Sequence, residues 1–239
     1  AGSITFAAGS DVNVNSADFE WGAGLLVGSG QVLGNTVFTP GLKTLNGASI
    51  TAAAPTLGAG NTLTLLNGTV NSAAPFLVNS GGHLLIASDA VSTLDINNAG
   101  KVDLFNNAVV NGVINNNSGG LLLLTAQVGA DATAVVNTLN NNSGGTFDLN
   151  NNAAPGQNID LNLNIFNNAG NVNIGGVNAA VKTITGDFNN LSGGAINLLG
   201  TDFSLVDVDG VVNSGLVNFT NSNTLTISAT SATGFLQSA

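Results

Sequence analysis

The sequence predicts an all-β protein. More specifically, it predicts a single-stranded right-handed parallel β-helix, or β-solenoid, with about 18–25 residues per coil. Three observations lead there. A glycine that closes an Asn-rich turn recurs seven times, the residues after it alternate in polarity each time, and helix signals are nearly absent.

The recurring glycines are Gly82, Gly100, Gly120, Gly145, Gly170, Gly194 and Gly215, at intervals of 18, 20, 25, 25, 24 and 21 residues. The segments after them read HLLI, KVDL, LLLL, TFDL, NVNI, AINL and LVNF. Their second residues are Leu84, Val102, Leu122, Phe147, Val172, Ile196 and Val217, and their fourth are Ile86, Leu104, Leu124, Leu149, Ile174, Leu198 and Phe219. All fourteen are apolar. The third residues, Leu85, Asp103, Leu123, Asp148, Asn173, Asn197 and Asn218, are mostly polar. Alternate strand residues face opposite sides, so the second position forms a core ladder and the third faces outward. Leu121 and Leu123 are apolar at outward positions, which suggests a covering loop or a subunit contact.

Asn tolerates left-handed backbone angles and glycine adopts them without a Cβ penalty, which explains the turns between strands. Stacked coils lie about 4.8 Å apart, so like residues at a corner form ladders. Asn79, Asn97, Asn117, Asn142 and Asn167 are the expected corner ladder, amide bonded to amide, with the seven glycines letting the chain turn. The uneven coil length is the reason to prefer right-handed winding. Earlier coils are less regular, as in "GLKTLNGASITAAAPTLGAG". Residues 1–30 hold the only Trp (Trp21) and the only Glu (Glu20) and read as an N-terminal cap or first irregular coils, with the solenoid over 31–239. A first coil has an open edge that needs covering.

Composition narrows the function. The chain has 239 residues, 44% of them hydrophobic, enough for a sizeable core. Only 7% are charged, against about 25% in ordinary soluble proteins. The cations are Lys43, Lys101 and Lys182, set against 13 acids for a net charge of -10. So few cations argue against nucleic acid and anionic membrane surfaces as partners. The absence of Cys removes disulfides and thiolate metal sites. No apolar run is long enough for a transmembrane helix. The start at Ala1 suits a mature protein after signal cleavage, or an excised segment.

The expected chemistry is sparse: no catalytic residues, no cofactor, no enzyme activity. The best local carboxylates are Asp202, Asp207 and Asp209 in "TDFSLVDVDG". Glycoside cleavage needs two carboxyls about 5 to 9.5 Å apart. Asp207 and Asp209 share a strand face and are weak calcium candidates, but further alternating ligands and a downstream Glu are missing. Solvated outer-face acids are the expectation. Asp103 and Asp148 hold the same repeat position with one coil between them. His83, the only histidine, occupies an outward first position and reads as a surface residue. The Thr62/Thr64, Thr183/Thr185 and Thr224/Thr226 pairs do not recur at one repeat position, which argues against an ice-binding face.

The phrase Asn-Asn-(Ser/Ala)-Gly-x-Val-x-Leu, seen in "NNAGKVDL", "NNAGNVNI" and "NNSGGTFDL", resembles bacterial autotransporter passengers. It is also similar to filamentous-haemagglutinin-type exoproteins and to Asn/Gly/Thr-rich surface antigens of rickettsia-like bacteria. The resemblance covers about residues 60 to 220. It implies an extracellular β-helix at the bacterial cell surface, working as an adhesin, surface layer or sheath. The expected function is therefore a self-assembling structural subunit of a layer, sheath or filament. An adhesin for a host surface or glycan is the alternative, and a polysaccharide-active enzyme is a lesser one. The expected partner is a further copy, by head-to-tail or lateral packing.

Overall fold

The computed structural model describes residues 2–14, 18–87, 91–126, 131–151, 157–176, 182–199, 203–207, 211–220, 224–229 and 235–237. Within them the strands pair in parallel with residues one coil away, and no helix occurs. An 11-stranded sheet runs in chain order from Ser3–Phe6 to Leu216–Thr220. One outward column threads it without a register break: Ser3, Leu25, Thr44, Thr64, Leu85, Asp103, Leu123, Asp148, Asn173, Asn197 and Asn218. The sequence repeat and the structural coil therefore coincide.

Each coil leaves this first sheet and adds two more strand segments before returning. In some coils they are separate, as in Ser49–Thr51 and Thr56–Leu57 or Phe203–Asp207 and Val211–Asn213. In others they fuse into one long strand, such as Gln31–Phe38, Ala108–Asn116 or Ile159–Asn168. Register shifts between Val110 and Val113, and between Asn162 and Ile165, mark where that strand irregularly changes direction.

The core lies between the sheets. Its ladder of Leu63, Leu84, Val102, Leu122, Phe147, Val172 and Ile196 is at most 2% exposed, and Val217 is half-buried. A second column through Leu26, Leu45, Leu65, Ile86, Leu104 and Leu124 is equally closed. Phe147, Phe166 and Phe188 meet edge to face, with centroids 5.6 and 4.9 Å apart. Burying each such side chain contributes about 1.5–3 kcal/mol, which is why the polarity alternation decides the fold.

At the N-terminal end, Ser3–Phe6 pairs in register with Leu25–Gly28, and Phe6 and Trp21 enter the core. Trp21 packs on Phe38, and Phe38 on Phe76. Residues 3–28 thus include strands of the same first sheet.

Two lysines break the inside-out rule. Lys43 pairs in register with Leu63 and is 1% exposed. Its ammonium donates to the carbonyls of Thr39 and Gly41 and to Asn61 Oδ1, which gives each of its three protons an acceptor. Lys182 lies between Ile159 and Phe203 in register and is fully buried. Its Nζ has no hydrogen-bond partner among the described residues. Burial pulls the pKa of both ammonium groups below the usual value.

Candidate functional site

The Asn-rich corner is built from parallel ladders, not one. Asn98, Asn116, Asn141, Asn168, Asn190 and Asn213 form the buried ladder. From Asn98 to Asn190, each Nδ2 donates to the Oδ1 of the next coil, at 2.6 to 2.8 Å, the last to Asn213. From Asn98 to Asn190, Nδ2 also donates to a first-sheet carbonyl, as from Asn141 to Asn171 O at 2.9 Å. That second acceptor fixes which way each amide points. A half-buried ladder of Asn97, Asn115, Asn140, Asn167 and Asn189 runs beside it and donates toward the preceding coil. The sequence-predicted set is distributed across columns. Asn97 and Asn167 lie in this second ladder, Asn142 donates to Asn117 in a third column, and Asn79 is exposed.

The glycines also divide their roles. In the Asn-Ser-Gly-Gly turns the left-handed residue is the one before the recurring glycine: Gly81, Gly119 and Gly144, with φ of +78°, +79° and +80°. The turn closes with Gly120 N–H donating to Asn117 O at 2.8 Å, a type II pattern. The recurring glycine is there because nothing larger fits. A Cβ on Gly120 would lie 2.5 Å from Asn98 O and 2.6 Å from Asn116 Oδ1. Gly82, Gly100, Gly145, Gly170, Gly194 and Gly215 are similarly crowded by carbonyls of earlier coils.

The acidic candidates gain no geometry. Asp202 and Asp209 lie outside the described residues, as does the side chain of Asp207. Among the described residues, no group of three His, Cys, Asp or Glu is placed to hold a metal ion.

One charged cluster does form, on the outer face of the first sheet. His83 Nε2 lies 2.8 Å from Asp103 Oδ2, and Lys101 Nζ donates to the same oxygen at 2.9 Å. The register explains it: His83 pairs with Lys101, and Leu85 with Asp103, on adjacent strands. Asp103 is only 8% exposed, and its Oδ1 has no hydrogen-bond partner among the described residues. Burial alone would raise its pKa. The hydrogen bonds from His83 and Lys101, with their charges, outweigh that and hold the carboxyl below the usual range. Apolar side chains surround the cluster: Leu85 and Leu123 flank Asp103 in its column, and Leu121 follows Lys101.

The same face changes character further along. Asn218 donates to Asn197, Asn197 to Asn173, and Asn173 to Asp148 Oδ1 at 2.7 Å. Burial raises the Asp148 carboxyl above its usual value, although the Asn173 hydrogen bond opposes this. Leu123 stands between Asp103 and Asp148, so the two carboxylates do not form a pair.

A second feature lies where the long strands change direction. Asn111, Asn137, Asn162 and Asn164 line a shallow groove with Val135 and Leu163. Asn164 Nδ2 donates to Asn137 Oδ1 at 2.6 Å, and Val135 is 42% exposed.

Fold and surface together place the chain in the class of parallel β-solenoids. No family model and no curated relative matches it. Among solved structures it is similar to a fragment of TibA hyper-glycosylated by TibC, at 15% identity over 100% of both chains, with a TM-score of 0.36. A likeness at that level says nothing about what this chain binds.

Proposed function

We propose that this chain is a non-catalytic structural β-solenoid of the bacterial cell surface, a stiff shaft working in a layer, sheath or filament. One observation supports this above the others: side-chain ladders reinforce the backbone ladder from coil to coil, from Asn98 to Asn213. Opening one coil strands buried amides on both sides, so the shaft resists local yielding. The charge-poor, Asn- and Gly-rich composition fits an extracellular setting. Electron microscopy of the purified protein is the test. Rods that associate side by side or end to end are expected, and strictly monomeric particles at high concentration would overturn the assembly reading.

The groove at Asn111, Asn137 and Asn164 favours the adhesin as the second reading. Side-chain amides beside apolar surface match the hydroxyls and C–H faces of a glycan. Specific glycan-array binding, lost in both Asn137→Ala and Asn164→Ala, is the outcome that would establish it.

A further inference from the structure

We infer that a second copy of this chain docks on the outer face of the first sheet, over the seven strands from Ser3–Phe6 to Leu121–Thr125. The proposal rests on the structural reading above and names the surface through which its subunits associate.

The face has the shape such a contact needs. All six pairings across it are parallel and in unbroken register, with no bulge to turn a strand away. Sheet faces in regular register stack about 10 Å apart, and a shallow depression lined by Leu25, Leu42, Thr44 and Leu66 leaves room for side chains of the partner. Seven strands about 4.8 Å apart, each showing about 17 Å of length, cover roughly 570 Å². Two copies then bury roughly 1,100 Å², which clears the roughly 1,000 Å² a biological interface needs and falls in the range of weak, reversible pairs.

Its chemistry suits burial. Leu42 is 72% exposed, and Leu25, Leu66, Leu85, Leu121 and Leu123 are half-buried at outward positions, interleaved with Thr44, Thr62 and Thr64. Such a row of leucines is what a solvated sheet face avoids.

Charge selects the occupant. A chain of net charge -10 repels its own copies over most approaches. At the outward positions of these seven strands the only acid is Asp103, already held by Lys101 and His83. Two copies therefore meet here without opposing free carboxylates. A two-fold contact uses the same patch on both subunits and closes as a dimer.

Sedimentation equilibrium on the purified chain tests this, with Leu42→Glu as the probe because its side chain is the most exposed of the row. The chain is expected to dimerise at about 10 μM, and Leu42→Glu to weaken the dimer at least about tenfold while its circular-dichroism melt, taken at about 1 μM where both chains are mostly monomeric, stays unchanged. Leu66→Glu is expected to act in the same direction. A wild-type chain that stays monomeric to about 200 μM would mean that a covering segment or a different protein occupies the face, and would overturn the proposal. A dimer indifferent to both substitutions would overturn it too. Glycan binding at the corner groove would refute the shaft reading and leave this measurement unaffected.

Discussion

Replacing Asn141 by Ala removes three hydrogen bonds from a side chain with no exposed surface. Asn141 donates to Asn168 Oδ1 at 2.7 Å and to Asn171 O at 2.9 Å, and accepts from Asn116 at 2.8 Å. A buried neutral hydrogen bond has a net value of about 1 kcal/mol, and an orphaned partner costs up to about 3. Two neighbours escape full orphaning. Asn116 still donates to Thr146 O, and Asn168 Oδ1 still accepts from Gly170 N. The loss should therefore sum to about 3–4 kcal/mol, including the small void left behind. The neighbouring Asn142 is exposed and donates only to Asn117, so Asn142→Ala should cost under about 0.5 kcal/mol. Repeat arrays need not unfold as one unit, so the assay is native-state hydrogen exchange of the amides flanking the substituted coil, alongside urea titration. An Asn141→Ala cost below about 1 kcal/mol, or equal to that of Asn142→Ala, would refute the idea that the buried ladder stabilises the corner.

Gly120→Ala should lower the melting temperature much more than Gly119→Ala. The first substitution drives a Cβ into backbone and amide oxygens, while the second meets nothing closer than 4.0 Å and costs only about 1–2 kcal/mol of left-handed strain. Lys182→Met should stabilise the chain by about 1 kcal/mol or more, read from urea midpoints. Because burial depresses the Lys182 pKa, the unfolded chain binds more protons between the folded value and the ordinary 10.5, so wild-type stability rises with pH in that window. Lys182→Met should reduce that slope. Asp103 and Asp148 should act with opposite signs. The depressed Asp103 carboxyl stabilises above the ordinary carboxylate value and loses that contribution as pH falls through its folded pKa, so Asp103→Asn flattens the acid limb of the stability curve. The raised Asp148 carboxyl penalises the fold when charged, and acid relieves it. Asp148→Asn should therefore raise stability at neutral pH.

The first sheet was legible from His83–Ala87 onward because those seven strands obey one rule: an apolar residue two and four places after a turn glycine. The buried Asn ladder was also present in the sequence, as a pattern anchored on the core residue two places before it. Ile96, Ile114, Leu139, Phe166 and Phe188 face the core, and the residue two further on is the buried Asn. Reading back from the glycine instead mixes the columns, because turns with one glycine and with two have different lengths. The His83–Lys101–Asp103 cluster was legible too. Positions one and three of a segment share a face, and the same positions in consecutive coils are neighbours, so HLLI above KVDL places these groups together. Taking each segment alone hides it. The buried lysines are the harder case. Lys43 and Lys182 stand in phase with Leu45 and Ile184, but the strong tendency of lysine to stay in water outweighs phase in any sequence reading. Only the three acceptors around Lys43 show how that tendency is overcome, and none of them is marked in the sequence as such.

The opposed directions of the two Asn ladders bear on how long such a shaft can grow. Amide dipoles aligned head to tail accumulate charge at the two ends of a stack, as peptide dipoles do in a helix. In this corner the inner stack points toward later coils and the outer stack toward earlier ones, over the same span from Asn97 to Asn190. Backbone amides in each strand likewise alternate between the coil above and the coil below, which leaves a sheet little net dipole. Over that span, each added coil therefore adds one amide to each of two opposed stacks, whose dipoles offset one another. These two stacks therefore set no electrostatic limit on length, which falls instead to what covers the end coils.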